Sequence, residues 1–314
     1  PNASPDFEYY KSQCLSEGLS ISEIFDKTDF PKLKDSDIVV DGLWGTGLSR
    51  PIKGIGFQLI KHINQSGAKV VSIDIPSGLN TNKSNDFIKI KADTTISFEF
   101  PKLSFFLPET GPYTGVWKAP SIGLSQEGIE NLQVNSFVSE LEDFSSSFPT
   151  NRRFSHKGDN GRALLMGSSS GMLGALSFAG AAAHAVGAGL IHLGLGQDQI
   201  MAMQILQPES MCLSAGRNSN VDSLPDIDKF DAICFGPGIG RAPETAEVLE
   251  KLISKRPSRL LIDADGLNLL SENLDWLKNL PNETILTPHP GEFSRLAGSS
   301  EDSFHRIEKA REFA

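Results

Sequence analysis

The sequence predicts an α/β protein built from two doubly wound, mostly parallel sheets. The chain has 314 residues, enough for about two domains at roughly 150 residues each. In both halves, short apolar runs alternate with segments of helical spacing, and glycine-rich turns follow the runs. A polar, serine-rich stretch separates the halves. Together these features favour two α/β domains joined by a linker.

The first half contains strands that lead into glycine turns. Residues 37–47 (DIVVDGLWGTG) and 68–78 (AKVVSIDIPSG) each predict a buried strand followed by a turn. Between them, residues 56–67 have apolar side chains at helical spacing and end in glycine, and residues 92–100 predict a third strand. Short β-rich runs separated by a helix imply parallel strands with crossover connections.

The regular patterns stop between residues 125 and 153. This stretch is polar and interrupted by Pro149, so we interpret it as a linker between domains at residues 1–124 and 154–314. A long surface loop inside one domain is the alternative interpretation.

The second half repeats a strand–turn–helix unit. The four units are residues 161–196, 230–256, 259–280 and 284–298. Such a succession is typical of a doubly wound sheet, whose ligands bind beyond the carboxyl ends of the strands. The glycine turns of all four units are predicted to lie at those ends.

Charge and cysteine content exclude several classes of function. A net charge of -10 argues against a general nucleic-acid surface, but backbone dipoles can still bind a small anion. The three cysteines, Cys14, Cys212 and Cys234, are widely spaced and odd in number. They predict neither a disulfide framework nor a zinc site and fit a reducing cytoplasm. We expect no signal peptide and no membrane span, although the chain begins with Pro1 rather than Met.

Two glycine loops of the second half are candidates for anion binding. FGPGIG (235–240) and MGSSSGMLGA (166–175) follow predicted strands and precede predicted helices, so bare backbone amides can approach a ligand. The alternatives are a structural turn for the first loop and helix capping by the serines for the second. In LIDADGLN, Asp263 and Asp265 are candidates for a metal–phosphate group, with capping of the next helix as the favoured alternative.

Polar groups also end two strands of the first half. Asp41 lies among Val and Leu, where a carboxylate is costly unless it is paired or binds a cation. Asp74 ends the next strand, and Ser77 follows it. These three residues predict an oxygen-rich cation or acid–base site, with turns and helix caps as the alternative.

A single histidine lies between two prolines in ILTPHPGEF (285–293). A lone histidine is often structural. His289, however, is predicted at the ligand edge of the sheet, and for that reason we favour a ligand contact.

These motifs resemble the family of bifunctional NAD(P)H-hydrate repair enzymes, which join an epimerase to an ADP- or ATP-dependent dehydratase. The epimerase half is matched by VDGLWGTGLSRPIKG, VVSIDIPSGLN and ADTTISFEFPK. The dehydratase half is matched by SHKGDNGRALLMGSSSGMLGA, GPGIG, LLIDADGLNLL and ILTPHPGEFSRLAG. The resemblance covers most of residues 37–122 and 152–298 and implies a Rossmann-like domain followed by a ribokinase-like domain.

The resemblance also implies a reaction. The substrate would be NADH or NADPH with water added across a ring double bond, and the epimerase would interconvert the two epimers. The dehydratase would convert the ring hydroxyl of the S form into a phosphate, whose elimination restores the coenzyme. ADP or ATP with Mg²⁺ would be the co-substrate, K⁺ would occupy the epimerase site, and a homo-oligomer is expected. Neither nucleic acid nor a membrane is expected as a partner.

Site residues follow from the same resemblance. Asp74 would be the acid–base residue and a substrate contact, and Asp41 and Ser77 would bind potassium. The epimerase substrate loop would comprise Gly45, Thr46, Gly47, Leu48, Ser49, Arg50 and Pro51. In the second domain, Ala175, Gly238 and His289 would contact the hydrated coenzyme.

Both domains depart from the family pattern and are expected to be incomplete. The family's glycine- and asparagine-rich loop does not precede Asp41, and its nucleotide loop and aspartate-bearing glycine turn do not appear before Ala314. Two other functions therefore stay open. One is a ribokinase-like kinase of a vitamin or sugar alcohol, and the other is a non-catalytic dinucleotide-binding module.

Overall fold

A computed structural model describes residues 4–145, 153–154 and 156–314 of the chain. These residues fall into two compact units. One runs through Val138 and includes Glu301–Glu312, and the other comprises Ser139–Ser300 with Phe313–Ala314. Residues 146–152 of the predicted linker lie outside the described residues. The predicted domain and linker limits stay a prediction.

The first unit is a four-stranded sheet with few helices. Its helices up to residue 138 are α1 (Pro5–Ser16), α2 (Gly54–Gln65) and α3 (Gln126–Glu130). Its strands are β1 (Ile38–Asp41), β2 (Lys69–Ile73), β3 (Thr94–Ile96) and β4 (Val116–Lys118). The strands lie in the order β1-β2-β3-β4, and every neighbouring pair is parallel.

One face of this sheet contacts the core of the unit. Ile60 and Ile63 of α2 are buried in the same cluster as Val70 of β2. Buried polar residues lie near the carboxyl ends of the strands, where Asp41 is 1% exposed and Ser72 is fully buried. The sheet therefore places buried polar groups at the edge where a ligand of a parallel sheet is expected.

The second unit is a six-stranded sheet with helices on both faces. Its helices are α4 (Leu141–Ser145), α5 (Leu173–Ala185), α6 (Ile200–Leu206), α7 (Pro243–Ser254), α8 (Asp265–Glu272) and α9 (Pro290–Ala297). Its strands are β5 (Arg162–Met166), β6 (Leu190–Gly196), β7 (Met211–Gly216), β8 (Ala232–Phe235), β9 (Leu260–Ile262) and β10 (Ile285–Leu286). A last helix, α10 (Ser303–Phe313), belongs to the first unit up to Glu312.

The strand order of the second sheet is β10-β9-β8-β5-β6-β7, and all neighbours are parallel. The chain moves outward in one direction from β5 to β7 and in the other from β8 to β10. The order therefore reverses between β5 and β8, which is where doubly wound sheets bind ligands. The predicted α/β class with parallel sheets is confirmed.

Alternating residues of β5 build two separate cores. Leu164 and Met166 belong to a cluster that includes Val248 of α7 and Leu267 of α8. Leu165 belongs to the opposite cluster, which includes residues of α5 and α6 such as Leu176 and Met203. Because successive side chains of a strand point to opposite faces, β5 is buried on both sides and fixed in the middle of the sheet.

Candidate functional site

Asp41 and Ser77, the predicted cation ligands of the first unit, lie in direct contact. The Ser77 hydroxyl donates to Asp41 Oδ1 at 2.6 Å, and the Ser77 N–H donates to Asp41 Oδ2 at 2.8 Å. Ser72 Oγ donates to the same Oδ2 at 2.7 Å, and the Leu43 N–H lies 3.4 Å from Oδ1. The buried carboxylate is thus fully hydrogen-bonded by protein donors, which offsets the cost of burying its charge.

The groups around Ser77 offer oxygen ligands, which hard monovalent and divalent cations prefer, but they are too few to complete a coordination shell. The Trp44 carbonyl oxygen lies 3.3 Å from Ser77 Oγ, which also accepts from the Trp44 N–H at 2.9 Å. With Asp41 Oδ1 this gives three oxygen atoms. In the described part of the chain, no cluster of three or more His, Cys, Asp or Glu side chains could hold a metal. Asp41 and Ser77 therefore supply only part of a coordination shell.

Asp74, the predicted acid–base residue, has a different set of partners. It directly follows β2 with a positive φ of 63°, and its N–H donates to the Ile96 carbonyl. Its Oδ1 accepts from the Phe98 N–H at 3.1 Å and lies 3.0 Å from Lys102 Nζ. The structure brings Asp74 and Asp41 to the ends of adjacent strands, but it gives each carboxylate its own donors.

Lys102 is a functional candidate that sequence reasoning did not identify. Its ammonium group also donates to the carbonyl oxygens of Phe98 and Phe100, at 3.2 and 3.0 Å, so all three of its N–H groups are used. It is therefore fixed against Asp74 rather than free to move in solvent. The motif ADTTISFEFPK contains this lysine, but nothing in its spacing indicates the ion pair.

The predicted substrate loop forms an open, polar wall of the first unit. Gly45, Gly47, Leu48, Ser49 and Arg50 line a cavity of about 490 Å³. Pro51 ends the loop and is exposed.

Thr46 faces a second cavity. With Asn82 and Lys102 it lines a space of about 610 Å³ in the same unit. Lys102, which lines this cavity together with Thr46, is the residue that forms the ion pair with Asp74.

In the second unit, the two glycine loops meet where the strand order reverses. The Ser168 N–H donates to the Pro237 carbonyl at 3.0 Å, and Ser169 Oγ donates to the Gly238 carbonyl at 2.9 Å. A Cβ added at Gly167 would lie 2.4 Å from the Pro237 oxygen, so only glycine fits there. The loops after β5 and β8 thus form one tightly packed double turn.

Ala175 and Gly238, both predicted to contact the coenzyme, lie side by side in this double turn. A Cβ added at Gly238 would lie 3.1 Å from the Ala175 Cβ and 2.8 Å from the Met172 carbonyl oxygen. Gly238 also has a positive φ of 63°. Ala175 is exposed in the first turn of α5, and no side chain caps that helix. The first backbone N–H groups of α5 are therefore not bonded by a capping side chain, which an anion site at a helix N-terminus requires.

Ser168 and Ser169 of MGSSSG stabilise the turn and do not cap α5. Ser168 is buried with a positive φ of 73°, and its hydroxyl donates to Gln199 Oε1 at 2.8 Å. Gln199 Nε2 donates in turn to the Ser169 carbonyl at 2.8 Å. The capping alternative was wrong for these serines, because they bond to the neighbouring loop and to Gln199.

Asp263 and Asp265 do not cap α8 either. Thr287 Oγ1 donates to Asp263 Oδ1 at 2.8 Å, and the Gly240 N–H donates to Asp265 Oδ2 at 3.0 Å. The N-cap residue of α8 is Ala264, without a side-chain hydrogen bond. Asp265 therefore bonds the turn after β8 to the end of β9, and Asp263 bonds the turn after β10 to the same end.

A polar relay continues from this point to α9. Asn268 Nδ2 donates to Asp265 Oδ1 at 3.2 Å, and Arg295 Nε donates to Asn268 Oδ1 at 3.0 Å. Through Asp265, the glycine turn after β8 is connected to the helix that begins after His289.

His289 is the N-cap of α9. Its Nδ1 accepts from the N–H groups of Gly291 at 3.0 Å and Glu292 at 3.4 Å, and its Nε2 lies 3.2 Å from Glu292 Oε1. Glu292 Oε2 accepts from the His289 N–H at 2.9 Å, which completes a capping box. The imidazole thus has a structural role, although its side chain is 62% exposed and accessible to a ligand. Whether it also contacts a coenzyme, as Ala175 and Gly238 are expected to, stays a prediction.

Cys234 lies on β8 beside this site but is not a candidate nucleophile. Burial, together with the charge of Asp263, raises the pKa of its thiol to about 12. A thiol of that pKa is protonated at neutral pH, and the thiolate is the reactive form.

Comparisons with known proteins match the two units to two families. Residues 1–104 match the family of the YjeF-related protein N-terminus, and residues 163–314 match the NAD(P)H-hydrate dehydratase family.

Curated relatives are similar to most of the chain, and a solved structure is similar to a little over half of it. A bifunctional NAD(P)H-hydrate repair enzyme of Coxiella burnetii is 33% identical over 86% of this chain and 54% of its own length. The Escherichia coli enzyme of that name is 35% identical over 84% of this chain and 50% of its own length. A solved ribokinase-like superfamily protein from Enterococcus faecalis is 18% identical, with a TM-score of 0.47, over 58% of this chain and 66% of that one. The chain spans about half the length of the curated relatives it matches.

Proposed function

The chain belongs to the family of bifunctional NAD(P)H-hydrate repair enzymes, and we propose that it acts in the repair of hydrated NADH or NADPH. Its first unit would interconvert the R and S epimers, and its second would take part in the nucleotide-dependent dehydration of the S form. The observation that carries the proposal is the contact between the glycine turns after β5 and β8, at the point where the strand order reverses.

The double turn is suited to an anionic dinucleotide. Gly238 and Ala175 leave a surface without bulky side chains, and the uncapped first turn of α5 offers backbone N–H groups. A pyrophosphate is stabilised by such amides and by the positive end of the helix dipole. The net charge of -10 is no obstacle, because these interactions are local.

Dehydration would proceed by phosphoryl transfer. The γ-phosphoryl group of ATP, or the β-phosphoryl group of ADP, would move to the hydroxyl oxygen of the hydrated ring, with ADP or AMP as the leaving group, and the hydroxyl proton would pass to water. The C–O bond then breaks with inorganic phosphate as the leaving group, and the ring loses a proton from the adjacent carbon, which restores the double bond. Mg²⁺, when bound with the nucleotide, would neutralise charge on the transferred phosphoryl group.

Epimer exchange would take place at Asp74. A carboxylate held by Lys102 and the Phe98 N–H is fixed in one orientation, which suits proton transfer to or from a bound substrate. The substrate loop, Gly45 to Pro51, would cover the ligand, since most of its residues line one cavity and Thr46 shares another with Lys102. Potassium, when bound by Asp41 and Ser77, would supply positive charge near a substrate phosphate.

A cytoplasmic location fits this substrate, because the reduced nicotinamide coenzymes are used there. None of the helices in the described part of the chain is both long and apolar enough to traverse a bilayer.

The test combines binding and turnover. Hydrated NADH is titrated into the protein by calorimetry, and recovery of the absorbance of reduced nicotinamide is followed with ADP or ATP present. Binding with recovery supports the proposal. Transfer of phosphate to a vitamin or sugar alcohol without recovery would indicate a kinase, and binding without turnover would indicate a dinucleotide-binding module.

Asp74→Asn separates the two activities. Because Asp74 lies in the first unit, the substitution is expected to slow epimer exchange by about 100-fold, in the range of general acid–base contributions. Dehydration of the pure S form should not change. An equal loss of both activities would contradict a division of labour between the units.

A further inference from the structure

A polar cavity of about 770 Å³ lies beside the carboxyl end of the edge strand β7. This volume is within the range of small-ligand sites, about 300–1,000 Å³. The residues that line the cavity offer a guanidinium group, a carboxylate, a side-chain amide and two hydroxyls. They are Gln197, Ser214, Gly216, Arg217, Asp222 and Ser223. None of them belongs to the glycine loops of the double turn, so the cavity is a further feature of the edge at which a parallel sheet binds ligands.

The loop after β7, which forms one wall of the cavity, is fixed by the fold. The N–H groups of Asp222 and Ser223 both donate to the Ala215 carbonyl at 2.9 Å, so the loop turns back onto its own strand. Val221 is fully buried in the core, and its carbonyl accepts from Thr245 Oγ1 of α7 at 2.8 Å. The shape of this wall is therefore set before a ligand binds, which lowers the cost of binding.

A short turn joins the cavity to the double turn. It comprises Gln197–Gln199 and directly follows β6. Gln197 lines the cavity. At the other end of the turn, the side chain of Gln199 bonds Ser168 and Ser169, at 2.8 Å each. The cavity and the double turn are thus in contact with the two ends of one three-residue turn, and a single ligand can reach both.

The strand order places the candidate ligand contacts in a row. His289 follows β10 at one edge of the sheet, the double turn follows β8 and β5 in the middle, and Arg217 follows β7 at the other edge. Neighbouring strands are about 4.8 Å apart, so the end of β7 lies about 10 Å from the end of β5. A dinucleotide whose pyrophosphate lies at the double turn can extend one of its nucleosides over that distance.

Arg217 has a guanidinium group that is available to a ligand. By contrast, the guanidinium group of Arg241 pairs with Glu272, and that of Arg295 donates to Asn268. The Arg217 side chain is exposed, and it forms no hydrogen bond or ion pair with any residue that the structure describes. A free guanidinium group beside a preformed cavity suits a phosphate, to which it can donate two parallel hydrogen bonds.

We propose that this cavity, the β7 cavity, binds the adenosine half of hydrated NADPH and that Arg217 contacts its 2′-phosphate. The second unit then prefers hydrated NADPH to hydrated NADH. The inference rests on the proposed function and extends it to the choice of coenzyme. The 2′-phosphate is the group that distinguishes the two coenzymes, and arginine is the side chain that accommodates it in other dinucleotide sites. The Ser223 hydroxyl can donate to the same phosphate, whereas the Asp222 carboxylate only accepts and suits the neighbouring ribose hydroxyl.

The test compares the two hydrated coenzymes in calorimetric titrations of the whole chain. The unaltered chain is expected to bind hydrated NADPH at least about tenfold more tightly than hydrated NADH. Arg217→Gln should weaken the binding of hydrated NADPH by about tenfold or more and change that of hydrated NADH by less than about twofold. Arg217→Lys keeps the charge and should retain part of the preference. Because the first unit is also expected to bind the coenzyme, the titrations are fitted with two sites, of which only one should respond.

Two controls separate the contact from general effects of charge and folding. Arg259→Gln removes the same charge at an exposed position before β9, at the opposite edge of the sheet, and should leave both affinities unchanged. The urea midpoint of Arg217→Gln should match that of the unaltered chain, since the side chain it replaces is exposed.

A fragment of the coenzyme tests the β7 cavity without the hydrated ring. Adenosine 2′,5′-bisphosphate should displace hydrated NADPH from the unaltered chain more strongly than adenosine 5′-phosphate does, and the two should be equal with Arg217→Gln. If neither hydrated coenzyme binds, the proposed function is overturned and this inference with it. If both bind with equal affinity, or a folded Arg217→Gln protein keeps its preference, the inference alone is overturned.

Discussion

Lys102 Nζ lies 3.0 Å from Asp74 Oδ1, and both side chains are less than one-fifth exposed. The ammonium group also bonds two backbone carbonyls, so it holds the carboxylate and the loop after β3 in one geometry. Two residues that are 28 positions apart in sequence are thereby fixed at the carboxyl end of the sheet.

Replacing Lys102 by methionine is expected to destabilise the first unit. The substitution keeps the length of the side chain but removes the ammonium donor from a mostly buried carboxylate and from the carbonyl oxygens of Phe98 and Phe100. The Phe98 N–H still donates to Asp74, so the loss is partial. We expect the free energy of unfolding in urea to fall by about 2 kcal/mol, as for loss of hydrogen bonds to a charged group. Lys118→Met, at an exposed lysine of β4, is the matched control. It should change the free energy of unfolding by less than about 0.5 kcal/mol. Equal stability of the two variants would mean that the ion pair contributes nothing measurable.

Gly238→Ala is expected to disrupt the double turn. The new methyl group would contact the Met172 carbonyl oxygen at 2.8 Å and the Ala175 Cβ at 3.1 Å. Gly187→Ala is the control, because Gly187 lies outside both loops and also has a positive φ, of 89°, but no atom lies within 4 Å of its added Cβ. Both variants lose about 1 kcal/mol from the backbone conformation alone. Only Gly238→Ala should also weaken the binding of hydrated NADH, by at least about tenfold, in calorimetric titrations. A similar affinity for the two variants would argue against a ligand at the β5 and β8 turns.

Two substitutions at His289 distinguish a structural role from a ligand contact. His289→Ala removes the N-cap of α9 and is expected to lower the free energy of unfolding by about 1 kcal/mol. His289→Asn restores a good capping residue but not the imidazole. If His289 also contacts the coenzyme, the asparagine variant should keep its stability and bind hydrated NADH more weakly. Unchanged affinity of a stable His289→Asn protein would leave the histidine with its capping role alone.

The thiol of Cys234 is expected to be inert in the folded protein. Its pKa of about 12 lies several units above neutral pH, so almost no thiolate forms at pH 8. Alkylation at pH 8 followed by peptide mass spectrometry should modify Cys234 only after unfolding in guanidinium, whereas the partly exposed Cys14 should react in the native state. Rapid native labelling of Cys234 would show that β8 opens readily.

The strands that end in glycine turns could be predicted from the sequence, because a continuous apolar run followed by a turn that contains glycine leaves few alternatives. β5, β8 and β9 are of this kind. β4 and β7 were missed because both are edge strands with several exposed or partly exposed residues, and their apolar runs, Val-Trp and Met-Cys-Leu, are short. Edge strands are stabilised by a single neighbour, which the local sequence does not reveal.

The sequence predicted which residues belong to the candidate sites better than it predicted their hydrogen-bond and ion-pair partners. Asp41 and Ser77 could be paired because each ends or follows a strand, and parallel neighbouring strands end together. The cap formed by His289 was missed because histidine is not among the usual N-cap residues. The bonds of Asp265 to Gly240 and of Lys102 to Asp74 join segments far apart in sequence, and only the tertiary fold brings them together.

The four hydrogen bonds to Asp41 have a consequence for ion dependence. A monovalent ion that enters beside Ser77 must exchange for donors already in place rather than fill an unmet need, so little net free energy is gained. Folding of the first unit should then tolerate replacement of potassium by sodium in the buffer, with the urea midpoint almost unchanged. Occupancy of the site beside Ser77 would then depend on the potassium concentration of the solution, and the ion would not be bound permanently by Asp41.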